Sequence, residues 1–208
     1  MRILATILSF LFLAAPAVAA DFAVTVKSTA GQPVKDAVVT LTPTSGARGA
    51  IKFDWPMRMA QQNIHFEPFV LIVPVGADVA FPNMDKVRHH VYSFSPAKRF
   101  ELKLYGRDES RSVHFDKPGV VALGCNIHDT MVGFIDVVDT PYAAKTDEMG
   151  MAGLQDVPSG PAVLRVWQPY LKAPNNEMTR TVTVPAQGEG REALVVDVRA
   201  PPPPMTMH

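Results

Sequence analysis

Cys125 is the chain's single cysteine, and it is followed at three-residue intervals by His128 and Met131. One loop thus carries a thiolate, an imidazole and a thioether, a soft donor set that suits copper better than zinc, calcium or magnesium. Copper that alternates between Cu(I) and Cu(II) needs ligands acceptable to both states. Two imidazoles and a thiolate near one plane, with a weak axial thioether, meet that need. The second imidazole is available upstream, from His89-His90. Adjacent residues of a strand face opposite ways, so only one of these two can reach a metal. Three donors on a short loop, with a fourth from a neighbouring strand, would be held rigidly enough for the site to change little between redox states.

Other chemistries account for fewer of these residues. A nucleophilic cysteine needs a histidine within reach and a group that orients it; Cys125 with His128 leaves Met131 unexplained and lacks a third member. Covalent haem attachment needs Cys-x-x-Cys-His, which the sequence does not contain. Structural zinc usually takes more than one cysteine. Copper delivery or storage uses nearly the same donors, and Met57, Met59, His65, Met205, Met207 and His208 could assist it, although scattered methionines more often fill gaps. A β-sandwich that binds a protein partner and no metal would leave the Cys-x-x-His-x-x-Met spacing as coincidence. His114 lies in an apolar run and reads as structural, and Trp55 and Trp167 read as packing residues.

The elements that must position these donors are strands. Alternating or continuous apolar runs recur at 21–27, 37–42, 70–75, 79–81, 90–94, 100–104, 113–115, 120–123 and 132–138, separated by Gly and Pro signals. Pro74 and Gly76 mark a turn between edge-type strands, and Pro118-Gly119 marks another turn. Beyond Thr140-Pro141 the composition changes: 146–150 and 157–160 read as turns, and 162–167, 179–184 and 193–198 as strands. Many short strands at this spacing predict an all-β chain built as sandwich or barrel. The proline-rich end, 200–208, reads as a disordered tail.

Residues 1–20 have the layout of a cleavable secretory leader: charged Arg2, an apolar run over 3–15, then small residues ending at Ala19-Ala20. The apolar run is short for a bilayer span, and no later segment is long and apolar enough, so no membrane association is expected after cleavage. This predicts an exported, oxidising compartment, most simply a bacterial periplasm. The 208 residues carry 20 basic and 20 acidic side chains, and losing Arg2 leaves the balance one charge from neutral. Without a basic surplus to grip phosphates, nucleic acid is not an expected partner. A lone cysteine forms no internal disulfide; a buried inert thiol is the plain alternative to a ligand.

Two resemblances sharpen the expectation. Phe81-Pro82-Asn83-Met84-Asp85, the step His89-His90-Val91, and the run from Cys125 through His128 and Met131 to Val132-Gly133 resemble the cupredoxin family over roughly residues 66–138. The short ligand loop is similar to that of amicyanin, and the segment is also similar to exported cupredoxin-like proteins labelled methylamine utilisation proteins. The resemblance implies a Greek-key β-sandwich holding one mononuclear copper, with Cys125, His128 and Met131 as ligands and the His128 ring edge as the electron port. It aligns His89 as the upstream ligand, with His90 where the family often has asparagine. Two departures bear on redox potential more than on binding: 121–124 lacks the aromatic residues that often precede the cysteine, and Ile127 stands where proline is common.

Separately, 24–41 and 146–166 resemble the two parts of a carboxypeptidase-regulatory-like, Ig-like β-sandwich, here about 100 residues apart. Lengthening a surface loop costs little closure entropy, so an insertion is physically reasonable. The expected organisation is a cupredoxin domain at 57–139 inserted in a discontinuous sandwich of 21–56 and 140–199; the alternative sets the two domains one after the other. Together these readings predict a non-enzymatic periplasmic carrier of single electrons, working by outer-sphere transfer with a redox partner protein. Copper delivery and a non-metal interaction module stand as the alternatives.

Overall fold

The computed structural model describes residues 19–200, and the regular elements among these are strands and one short 3-10 turn, joined by turns and loops. The leader expected over 1–20 lies outside the described residues except for Ala19 and Ala20, which open the first strand; the expected tail lies outside them except for Ala200. In chain order the strands are β1 Ala19–Ser28, β2 Val38–Pro43, β3 Ala60–Gln62, β4 His65–Glu67, β5 Val70–Pro74, β6 Ala77–Pro82, β7 His89–Phe94 and β8 Arg99–Tyr105. They continue as β9 Ser110–Phe115, β10 Gly119–Cys125, β11 Val132–Val138, β12 Ala143–Lys145, β13 Met151–Pro158, β14 Gly160–Trp167, β15 Glu177–Val184 and β16 Gly190–Val196. No helix among the described residues is long and apolar enough to cross a membrane.

The middle of the chain pairs with itself. One sheet runs β5-β11-β10-β7-β8, and two small sheets, β3-β4 and β6-β9, complete the layer structure around a shared apolar cluster that includes Leu71, Phe81, Val91, Phe115, Val121 and Ile135. After β7 and β8, the chain crosses to β9 and then returns as β10 beside β7, the return connection of a Greek key. That return sets Cys125 in register with Val91, two residues from His89. The turn read at Pro74-Val75-Gly76 connects strands of different sheets, because β5 joins β11 while β6 joins β9.

Strands from both ends of the chain share the remaining sheets. β13-β1-β16 faces β12-β2-β14-β15 across a cluster that includes Phe22, Val24, Leu41, Leu154, Leu164 and Leu194. β5 explains why 70–73 is apolar without alternation. Leu71 and Val73 face the middle core, while Val70 and Ile72 face a third cluster with Val38, Ala143 and Trp167. A strand buried on both faces has no polar side to show. Across the same boundary Arg165 of β14 donates to the buried Asp136 of β11 at 2.8 Å and to Glu177 of β15 at 2.7 Å.

Four strands escape the sequence pattern. β13 covers 151–158, part of which reads as a turn, because its inward positions include Ala152 and its outward ones Gly153. The other three are only three residues long, too short to show a period.

Candidate metal centre

His89 opens β7 and is fully buried, and the strand alternates so that Val91 and Ser93 share its inward face. The register between β7 and β8 slips between His89 and Val91, a bulge that re-aims side chains at a strand end. His90 turns the other way and pairs its Nε2 with Glu101 at 2.7 Å near the surface. Alternation therefore leaves His89 alone to face Cys125, with its Nδ1 3.8 Å from Sγ.

Cys125 ends β10 and is buried. The strand pairing extends one residue further, where Asn126 N–H donates to the His90 carbonyl at 3.0 Å, so the start of the 125–131 loop is fixed to β7. His128 Nδ1 then reaches back to within 3.5 Å of the same sulfur. The loop closes where Met131 N–H donates to the His128 carbonyl at 2.9 Å. One donor atom each from His89, Cys125 and His128 lies within 4.8 Å of the others, with His128 partly exposed and the other two buried. Met131 is buried and packs in the same apolar cluster as Cys125.

Two glycines make room for this arrangement. A Cβ on Gly124 would lie 2.8 Å from the Tyr92 ring, and one on Gly133 would lie 2.7 Å from Phe66 Cβ. Tyr92, from the neighbouring strand, thus lies against the strand that lacks an aromatic residue of its own before the cysteine.

A network that the sequence pattern does not reveal holds the upstream histidine. His89 Nε2 donates to Asp85 Oδ2 at 2.8 Å. The same carboxylate accepts the Asn63 N–H at 2.6 Å and the Ile64 N–H at 3.0 Å. Asn63 and Ile64 both have positive φ, at 56° and 58°, and form the turn between β3 and β4. Burial would raise the Asp85 pKa, but the bonds from Ile64, His89 and Asn63 outweigh it and hold the carboxyl below its ordinary value. Burial pulls His89 below the ordinary histidine value; Asp85 opposes this without overcoming it, and His128 acts in the same direction as burial. The ring is therefore neutral near pH 7, with its proton on Nε2 and the Nδ1 lone pair toward Cys125.

Asn83 and Tyr105 complete the support. Asn83 is buried and its side chain donates to the Val87 and Tyr105 carbonyls while accepting the Asp85 N–H. The buried Tyr105 hydroxyl sits 2.5 Å from Gln61 Oε1 and 3.0 Å from the Phe81 carbonyl, and burial keeps the phenol protonated. In the sequence Asp85 closes the 81–85 run that resembles the cupredoxin family and stands four residues before His89, but neither cue assigns it a partner. His114, read as structural, is exposed and pairs with Asp78 at 3.0 Å. Trp55 packs between clusters and donates its indole N–H to the Ile72 carbonyl at 2.8 Å.

The donor set and its spacing fit one transition-metal ion. With ligand bonds of about 2.0–2.3 Å, donors at the corners of a trigonal plane stand about 3.5–4.0 Å apart, which matches 3.5 and 3.8 Å. Two imidazole nitrogens and one cysteine sulfur in that plane, with a thioether on the same loop, make a set that copper favours over zinc.

No protein-family model and no curated protein matches the chain. Solved structures do. A purple cupredoxin from Nitrosopumilus maritimus is 24% identical over 39% of this chain and 98% of its own, with TM-score 0.36. A Cu-containing nitrite reductase from Thermus scotoductus SA-01 is 25% identical over 56% of this chain and 28% of its own, with TM-score 0.39. The reduced P94F variant of amicyanin is 22% identical over 48% of this chain and 99% of its own, with TM-score 0.37.

Proposed function

We propose that this protein is an exported, cupredoxin-like type 1 copper protein that carries single electrons by outer-sphere transfer to and from a partner protein. The supporting observation is the convergence of His89 Nδ1, Cys125 Sγ and His128 Nδ1, in a pocket whose ligands are already held in place. A bound copper ion would supply one-electron chemistry between Cu(II) and Cu(I). Cys125 would bind as the thiolate, His89 and His128 as the equatorial imidazoles, and Met131 as the weak axial thioether. His89, buried and tied to Asp85, fixes the inner side of the site. The partly exposed His128, between exposed Ile127 and Asp129, forms the side on which an electron enters or leaves. The apolar wall around the sulfur excludes water and protects the thiolate from oxidation.

A delivery protein has to release its ion, which a site braced by strand pairing and a partly buried carboxylate does not favour. Titration of the purified protein with Cu(II) is expected to give an intense visible thiolate-to-copper band at one equivalent, lost in Cys125→Ala. The band should return undiminished through repeated reduction and reoxidation in the presence of a mild chelator. A colourless complex, or loss of the ion to the chelator in one redox state, would refute the carrier reading.

A further inference from the structure

We propose that Asp85 is a positioning residue that sets the tautomer of His89 and thereby lowers the reduction potential of the site; the second part rests on the copper reading above. The geometry comes from three bonds to one carboxylate. Oδ2 accepts the His89 Nε2–H at 2.8 Å and the Ile64 N–H at 3.0 Å, while Oδ1 accepts the Asn63 N–H at 2.6 Å. A carboxylate with both oxygens engaged by backbone donors cannot swing away from the ring. It accepts only, so the ring nitrogen facing it must carry the proton. The other nitrogen is then an unprotonated donor aimed at Cys125, 3.8 Å away.

The effect on potential follows from charge. A carboxylate hydrogen-bonded to the far nitrogen of a metal-binding imidazole raises the basicity of the near nitrogen. Added negative charge on the ligand favours Cu(II) over Cu(I). The Asp85 side chain is 12% exposed and His89 is fully buried, so water screens the interaction little. The turn between β3 and β4 belongs to the device: two consecutive left-handed residues present adjacent N–H groups to the carboxylate.

Two measurements test this. In the copper-free protein, long-range ¹H–¹⁵N spectra of the imidazoles should show His89 as the Nε2–H tautomer, and Asp85→Asn should weaken that preference. In the copper-loaded protein, Asp85→Asn should keep the visible band but raise the potential. The expected shift corresponds to at least a tenfold change in the Cu(II)/Cu(I) affinity ratio, about 59 mV for a one-electron couple. Asp129→Asn is the control, since it removes the same charge from the exposed loop without touching a ligand ring. An Nδ1–H tautomer in the wild type, or a shift no larger than that of Asp129→Asn, overturns the proposal. A wild-type protein that forms no coloured complex refutes the copper reading instead, and the tautomer measurement still decides the role of Asp85.

Discussion

The two sandwiches bury different things. The one built from both ends of the chain packs aliphatic side chains with Phe22 and Tyr142, and its buried threonine hydroxyls serve the backbone. Thr146 donates to the Val34 carbonyl and accepts the Ala37 N–H, and Thr140 donates to the Leu41 carbonyl. The middle segment, with its five-stranded sheet and two small ones, buries Gln61, Asn83, His89, Tyr105, Cys125 and Met131. Several of these interact directly: Tyr105 donates to Gln61, and His89 faces Cys125. Burying polar groups costs stability unless each finds a partner, and no described buried side-chain nitrogen or oxygen lacks one. A sandwich needs only the first kind of core to stand, so the second kind sets the candidate site apart from the rest of the interior.

That contrast can be broken at its seam. Arg165→Ala would leave Asp136 buried without its cation, at an expected cost of about 3–5 kcal/mol, read from denaturant unfolding. Leu164→Ala, in the core of the other sandwich, should cost about 2–5 kcal/mol yet leave the visible spectrum of the folded copper protein unchanged. A changed spectrum would mean that the two cores are not separable. Tyr105→Phe strips Gln61 and the Phe81 carbonyl of their shared donor, and about 1–3 kcal/mol should go with it.

Acid should distinguish the cores without mutation. His89 has a depressed pKa in the fold, so below the unfolded histidine value of about 6.5 the unfolded chain binds more protons. Stability of the copper-free protein should therefore fall as pH drops below that point, by at most about 1.4 kcal/mol per pH unit for this one proton. The depressed Asp85 adds a second loss below about pH 4. His89→Ala should remove the first of these slopes, as melting curves across pH would show. Smallest of all, His90→Ala should leave the colour intact and cost under about 1 kcal/mol, because its pairing with Glu101 lies at the surface.

Much of the site was legible because its grammar is local. The Cys-x-x-His-x-x-Met spacing needs only a short loop, and strand alternation by itself admits one of His89 and His90. What the sequence hid depends on distant segments. Asp85 belongs to a recognisable run, but its role stays hidden until the turn at Asn63-Ile64 folds over it, and Gln61 looks exposed until Tyr105 donates to it. Among the strands, the runs with alternating Val, Leu and Phe were readable. β13 was not, since Ala152 and Gly153 carry little apolar signal and its pairing with β1 is a matter of backbone bonds.

X-ray absorption at the copper edge, on protein loaded with one equivalent, is the most direct check on the central claim. The account predicts one sulfur from Cys125 at a short distance and two imidazole nitrogens, with one nitrogen lost in His89→Ala and neither in His90→Ala. Coordination by oxygen and nitrogen alone, without sulfur, would contradict it.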